Sequence, residues 1–231
     1  MELHILSGGA AQGVVRAIQE DFRAQTGAVV QGTFGAVGMM KEKLLSGAPC
    51  DVLILTQALI DELEAAGRVA PGSAAAMGRV KTGIAVKVGE AQPDVASADG
   101  LRAALLAARG IYFPDPQKAT AGIHFINVVK KLGILAEIEP ALRPFPNGAT
   151  AMAQMAKDNE PGLIGCTQVT EILYTEGVTL VAPLPTEFEL ATVYTAAVSS
   201  RAEQPELAQR LVAALSGDGS RALRVEGGFE L

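Results

Sequence analysis

The chain has 231 residues, of which 49% are hydrophobic, 19% charged and 4% aromatic, and its formal net charge is -6, a composition that excludes a disordered polypeptide. No Lys/Arg-rich run is present, so the sequence predicts no nucleic-acid partner, because binding to nucleic acid requires clustered cations. The longest apolar runs, such as residues 52–55, are far shorter than the ~20 residues that span a bilayer, so we expect no direct membrane insertion.

Strands and helices alternate along the first part of the chain. The hydrophobic spacing predicts strands at residues 3–7, 29–34 and 51–55, and helices at residues 12–25, 39–46 and 59–66. Gly27, Gly47 and Gly67 each follow one of these helices, as glycines that cap helix carboxyl ends do. The alternation favours a largely parallel sheet with right-handed crossovers.

The pattern changes near residue 80, where a long strand at residues 79–88 is a candidate crossover between two lobes. Residues 193–199 are a second such strand. Between them the sequence predicts helices at 101–108, 122–132 and 149–158 and strands at 110–113, 143–146, 162–167 and 178–180, with closing helices at 205–215 and 220–225.

We therefore predict an α/β protein of two lobes, each a mostly parallel sheet flanked by helices, with a hinge of two crossover strands. The first lobe comprises residues 1–80 plus 197–231, and the second comprises residues 81–196. Two α/β lobes joined by a hinge are typical of proteins that close on a small ligand.

The loops that follow the predicted strands are candidate binding loops, because ligands of open α/β sheets lie beyond the carboxyl ends of the strands. These loops cover residues 7–12, 35–39, 55–57, 114–122, 146–149 and 167–170. Several are rich in glycine and small residues and lead directly into a helix, whose free N–H groups bind anions. The sequence thus predicts a site for a small anion in the cleft between the lobes.

Five segments carry a resemblance to a known family. They are residues 3–10, residues 34–38 (Phe-Gly-Ala-Val-Gly), residues 46–52 (Ser-Gly-Ala-Pro-Cys-Asp-Val), residues 121–123 (Ala-Gly-Ile) and residues 162–165 (Gly-Leu-Ile-Gly). The chain resembles the molybdate-binding proteins of bacterial transporters, and the resemblance covers most of its length. It implies the type II periplasmic binding-protein fold and an anionic ligand.

The same resemblance implies that two serines and a tyrosine donate hydroxyl groups to the bound oxyanion. At the corresponding positions this chain has Ala10, Val37 and Gln168, while backbone donors remain at Ala121 and near Gly148. Oxyanion oxygens left without donors would cost ~1–3 kcal/mol each. We therefore expect an organic carboxylate as the ligand instead of molybdate or tungstate.

The predicted ligand-binding residues lie in these strand-end loops or face them. They are Ser7, Gly8, Gly9, Ala10, Ala36, Val37, Thr56, Thr120, Ala121, Gly122, His124, Asn147, Gly148, Gln168 and Tyr194.

His124 supports an alternative function. It follows the Ala-Gly-Ile turn near a predicted helix start, where it serves either as a ligand donor or acid/base, or as a structural residue bonded to backbone. Some aconitate isomerases resemble the binding proteins named above. The alternative is therefore an isomerase of an unsaturated carboxylate such as aconitate, with His124 as the catalytic acid/base.

Other chemistry is not indicated. The sequence has no metal-ligand spacing and no phosphate-loop or dinucleotide fingerprint, so we expect no metal and no cofactor. Cys50 and Cys166 lie in apolar surroundings and are predicted to be buried thiols, and Asp51 and Asp115 to be capping or loop residues. A transcription-factor effector lobe is a further reading, but no helix-turn-helix segment supports it.

The chain starts directly with a predicted strand, without a basic and apolar leader. We expect a cytoplasmic protein if Met1 is native and a periplasmic one if a signal peptide was removed. An exported protein would pass its ligand to a membrane transporter.

Overall fold

The computed structural model describes all residues, Met1–Leu231. The chain forms two compact units, one of Met1–Val80 with Thr192–Leu231 and the other of Lys81–Ala191. In chain order the strands and helices are β1 (Glu2–Gly8), α1 (Gln12–Thr26), β2 (Val29–Gly35), α2 (Val37–Leu45), β3 (Val52–Thr56), α3 (Gln57–Ala65), β4 (Ala75–Lys87), α4 (Ala98–Ala107), β5 (Gly110–Pro114), α5 (Thr120–Lys131), α6 (Leu135–Ile138), β6 (Leu142–Phe145), α7 (Gly148–Lys157), β7 (Leu163–Gln168), α8 (Val169–Tyr174), β8 (Val178–Pro183), β9 (Ala191–Val198), α9 (Pro205–Ser216) and α10 (Arg221–Glu226). The predicted mixed α/β fold is confirmed.

The first unit is built on strands in the order β2-β1-β3-β9. β1 pairs in parallel with both β2 and β3, while β9 runs antiparallel to β3. α1 packs on this sheet through its buried side chains Val14, Val15, Ile18 and Phe22, whose spacing places them on one helix face. Gly27 ends α1 at a φ of 72°, a left-handed conformation that favours glycine.

The second unit is built on strands in the order β4-β7-β5-β6, with β8 also paired to β4. β5 is parallel to β6 and β7, and β4 is antiparallel to β7 and β8. One buried cluster includes Phe113 and Phe125, whose ring centroids lie 5.1 Å apart. A second cluster joins Met152 and Met155 of α7 to the sheet. Two sets of helices therefore pack on this sheet, each through its own buried cluster of side chains.

Asp51 is a structural carboxylate, as predicted. It is buried, and its Oδ2 accepts a hydrogen bond from the backbone N–H of His4 at 2.8 Å. Its Oδ1 accepts from the N–H of Glu203 at 2.8 Å and from that of Gln204 at 3.4 Å. One side chain therefore ties β1 to the segment that precedes α9.

Both cysteines are buried free thiols, which confirms their prediction. Burial raises the pKa of the Cys50 thiol to about 12 and also raises the pKa of Cys166. Because the thiolate is the reactive form, neither sulfur is chemically active near neutral pH.

Arg143 links three other side chains of the second unit. Its guanidinium donates to the Tyr112 hydroxyl at 2.9 Å, to Asp158 at 3.0 Å and to Glu160 at 2.7 Å. The Tyr112 hydroxyl in turn donates to Asp158 at 2.5 Å. These bonds tie β5 and β6 to the segment after α7, so this charged cluster is structural.

The structure differs from the predicted elements in where several of them begin and in two additional short helices. β4 begins at Ala75, four residues before the predicted start, and α4 at Ala98, three residues before it. α2 begins at Val37, two residues before the predicted start. The short helices α6 and α8 were not predicted. Each of these two has only one turn or slightly more, which is too short for an apolar periodicity to be recognised. No helix is both long and apolar enough to cross a membrane.

Candidate functional site

The carboxyl ends of the strands in the first unit bring several predicted site residues together. Gly8 pairs with Gly35 at the ends of β1 and β2, and Thr56 pairs with Tyr194 at the end of β3. A methyl group on Gly8 would lie 2.8 Å from Val37 Cγ1 and 3.1 Å from Tyr194 Cε1. Gly8, Val37, Thr56 and Tyr194 therefore share one edge of this unit, and the packing at Gly8 leaves no room for a side chain.

The hydroxyl groups at this edge already have partners in the protein. The Ser7 hydroxyl donates to the Gly8 carbonyl at 2.8 Å, and Ser7 is fully buried. The Thr56 hydroxyl accepts the N–H of Leu59 at 3.4 Å and so caps α3. Five predicted residues there carry no side-chain donor, namely Gly8, Gly9, Ala10, Ala36 and Val37.

The amino end of α2 lies at this same edge, because α2 follows β2 after a single residue. Its N-cap residue is Ala36, and no side chain caps it. The first N–H groups of a helix have no acceptor within the helix, and the helix dipole adds positive potential there. α2 therefore presents backbone donors where the predicted site lies.

The amino end of α5 has the same property in the second unit. Its N-cap residue is Ala119, again without a side-chain cap. Gly122 lies against the carbonyl oxygens of Pro114 and Asp115, so the first turn of α5 packs closely on the end of β5. Asp115 Oδ1 accepts the N–H groups of the next turn at 2.7 and 3.0 Å, which confirms its predicted role as a loop residue.

His124 lies in the second turn of α5 and is half-buried. Its Nε2 lies 2.7 Å from the Phe188 carbonyl oxygen. A carbonyl oxygen only accepts hydrogen bonds, so Nε2 is the donor of this pair. The structure thus gives His124 a backbone partner at Nε2.

α7 differs from α2 and α5, because two side chains of the unit occupy its amino end. Asn147 Oδ1 accepts the N–H of Thr150 at 2.8 Å. Gly148 is in contact with Thr167 and Glu171, and its backbone position has no space for a side chain. The predicted residues Asn147 and Gly148 therefore lie together, but the Asn147 side chain serves as a cap.

Glu171 is a buried carboxylate that sequence reasoning missed. It accepts the Thr167 hydroxyl at 2.5 Å. Burial raises the pKa of its carboxyl to about 7, although hydrogen bonds from Thr167 and from the N–H groups of Gln168 and Ala149 lower it. Nothing in the sequence marks this residue, because its burial depends on α7 and on the unpredicted α8.

Gln168 ends β7 and is buried, and it pairs with Thr82 of β4. Thr82 was also missed by the sequence analysis. The predicted residues of the second unit thus come from the ends of β5, β6 and β7, which lie at one edge because these strands are parallel. No three His, Cys, Asp or Glu side chains are grouped so that they could hold a metal ion.

Two surface cavities of the first unit lie elsewhere. One of about 450 Å³ is lined by residues such as Thr26, Pro205 and Arg210, and one of about 220 Å³ by His4, Asp51 and Arg201 among others. None of the predicted site residues lines either cavity. The two cavities and the strand-end loops are therefore different surfaces.

Glu171 should make the free energy of unfolding depend on pH. The pKa of its carboxyl is raised from the usual 4.5 to about 7, so the folded chain keeps a proton that the unfolded chain releases. This stabilisation is complete below the unfolded-state pKa of 4.5 and is lost as the pH rises through the folded-state pKa of about 7. From about pH 5 to about pH 8, the wild type should lose about 2–3 kcal/mol of stability relative to Glu171→Gln.

Denaturant unfolding of both proteins across this pH range measures that difference. Unfolding free energies that run parallel with pH in the two proteins would contradict the raised pKa.

Comparisons with known proteins agree with this architecture. Residues 3–230 match the family model described as bacterial extracellular solute-binding protein. An aconitate isomerase from a Pseudomonas species is 24% identical over a match that covers 97% of this chain and 86% of that protein.

Solved structures show the same fold. The periplasmic molybdate-binding protein of Azotobacter vinelandii superposes with a TM-score of 0.81 at 20% identity, covering 99% of each chain. A sulfate-binding protein of Mycobacterium tuberculosis gives a TM-score of 0.77 at 14% identity, covering 99% of this chain and 86% of that one. The predicted type II periplasmic binding-protein fold is confirmed. Since the family model spans nearly the whole sequence, the chain belongs to the bacterial extracellular solute-binding proteins.

Proposed function

We propose that this protein binds a small organic carboxylate at strand-end loops. The observation that carries the proposal is that α2 in one unit and α5 in the other each begin without a side-chain cap. Both start at the carboxyl edge of a sheet, where ligands of α/β proteins bind. Their free N–H groups suit an anion, as helix amino ends do in general.

The side chains at these loops favour an organic anion over a compact oxyanion. The resemblance to molybdate-binding proteins implies that Ala10 and Val37 take the positions of two serines, and neither carries a hydroxyl. The hydroxyl groups of Ser7 and Thr56 have partners in the protein. A tetrahedral oxyanion needs donors on all its oxygens, because an unpaired buried oxygen loses about 1–3 kcal/mol. A carboxylate has two oxygens per group and needs fewer donors at each end. The similarity to an aconitate isomerase supports the same class of ligand.

The role of binding follows from the family. A solute-binding protein delivers its ligand to a membrane transporter, and we propose this role for the chain if it is exported.

A second function, the isomerisation of an unsaturated carboxylate such as aconitate, is favoured by two observations. One is the similarity to an aconitate isomerase over 97% of the chain. The other is His124, which lies near the amino end of α5, and histidine is the side chain that most often transfers protons in enzymes. Moving a double bond requires a proton to leave one carbon and another to reach a second carbon, which a single histidine beside the ligand can perform.

A thermal-shift panel tests the proposed ligand class. The anions are molybdate, tungstate, sulfate, phosphate, citrate, cis-aconitate, trans-aconitate, malate and succinate. A ligand at about 100 times its dissociation constant adds roughly 2.7 kcal/mol of stability, which raises the melting temperature by roughly 5–10 °C in a chain of this size. We expect such a shift from a carboxylate and none from molybdate or tungstate. A shift confined to molybdate or tungstate would contradict the carboxylate proposal and indicate that the protein binds an ordinary oxyanion.

The role of the α5 amino end is tested by removing its first N–H group together with the Thr120 hydroxyl. Thr120 is the first residue of α5, and Ala119 before it is extended, so Thr120→Pro fits the backbone while deleting a donor. The matched control is Ala98→Pro at the first residue of α4, whose amino end is capped by Ser97 and lies outside the predicted loops. Calorimetric titration should show roughly tenfold weaker carboxylate binding for Thr120→Pro and unchanged binding for Ala98→Pro. Equal affinities of both variants would remove α5 from the site.

The two functions are separated by NMR of the bound carboxylate over time. If the protein is an isomerase, the wild type converts cis- and trans-aconitate, and His124→Ala abolishes turnover while binding persists. If the protein only binds, neither protein changes the ligand. Turnover that survives His124→Ala would exclude His124 as the acid/base.

A further inference from the structure

The turn from β7 into α8 buries an unusual run of polar side chains. Residues 166–171 are all buried, and four of these six residues are polar or charged, namely Thr167, Gln168, Thr170 and Glu171. Buried polar groups cost free energy unless they are hydrogen-bonded. Their partners therefore show which of them the fold uses internally.

Two hydroxyl groups, one in this segment and one just after it, have internal partners. Thr167 donates to Glu171 at 2.5 Å, and Thr175 donates to the Glu171 carbonyl at 2.6 Å. The local fold can thus satisfy threonine hydroxyls when they serve the structure.

Two hydroxyl groups of the second unit have no hydrogen-bond partner in the protein. They belong to Thr82, which is 1% exposed, and Thr170, which is 2% exposed. Thr82 pairs with Gln168 across β4 and β7, and Thr170 follows Gln168 by two residues. Both flank a predicted ligand residue at the carboxyl end of β7.

Thr82 is also linked to the His124 side of this unit. Its carbonyl accepts the N–H of Leu184, and its N–H donates to the carbonyl of Leu190. The segment between these two leucines contains Phe188, whose carbonyl bonds to His124. Thr82 therefore lies where the end of β7 and the α5 side of the unit meet.

We infer that the hydroxyl groups of Thr82 and Thr170 bind oxygen atoms of the ligand. This inference rests on the proposed function, since it assigns further donors to the same carboxylate. A hydroxyl group donates one hydrogen bond to a carboxylate oxygen. Without a ligand, these hydroxyl groups are a cost to the folded chain. With a ligand, they select for a molecule whose oxygens reach them.

The inference predicts opposite effects on stability and on binding. Thr82→Val and Thr170→Val keep the shape of the side chain and remove the hydroxyl. Because they remove a buried polar group that has no partner, both should leave the ligand-free melting temperature unchanged or raise it by a few degrees. Both should weaken binding of the probe cis-aconitate roughly tenfold or more in calorimetric titration.

Thr167→Val is the matched control, because its hydroxyl is fully buried in the same segment and is bonded to Glu171. The ligand-free melting temperature of Thr167→Val should fall, since the Glu171 carboxyl group loses a hydrogen-bond donor. A fall of the same size in Thr82→Val and Thr170→Val would show that their hydroxyl groups are structural and would overturn the inference.

The outcomes also separate this inference from the proposed function. If the wild type binds cis-aconitate or citrate and both Thr82→Val and Thr170→Val bind it equally well, the inference alone is overturned. A wild-type protein that binds neither these two probes nor any other carboxylate of the panel overturns the proposed function, and the inference with it.

Discussion

The position of the site depends on the parallel pairing of three strands in each unit. In the first unit β1, β2 and β3 end at one edge, and in the second unit β5, β6 and β7 do. Helices follow most of these strands almost at once, so their amino ends gather at that edge. Where a side chain caps such an end, as Thr56 and Asn147 do, the donors serve the fold. α2 and α5 have no such cap, and their donors are free to serve a ligand.

The polar groups near these loops divide into those with a hydrogen-bond partner in the protein and those without one. Asp115 and Asn147 hold loops and helix ends in place through hydrogen bonds to backbone N–H groups. Such bonds fix the strand ends, and a fixed backbone donor binds an anion without a further ordering cost. Thr82 and Thr170 have no comparable role, since their hydroxyl groups have no partner. A protein that keeps such groups sacrifices stability for binding, which is common at functional sites.

Much of the fold is encoded in local patterns and was therefore predictable. The apolar spacing of residues 12–25 predicted α1, and Gly27, Gly47 and Gly67 all have the positive φ that their position after a helix predicted. The contacts that define the site are not local. His124 bonds to a carbonyl 64 residues away, and the burial of Glu171 depends on α7. No pattern along the sequence records such pairs, so the loops could be predicted but the partners of their side chains could not.

The most direct test of the account is an NMR titration of the ¹⁵N-labelled protein with cis-aconitate. The account predicts that backbone amide signals of residues 37–39 in α2 and 120–122 in α5 shift most, because those N–H groups bind the carboxylate. Saturable shifts confined to other surfaces, such as the cavity lined by His4, Asp51 and Arg201, would contradict it. So would a titration in which no carboxylate shifts the amides of either helix.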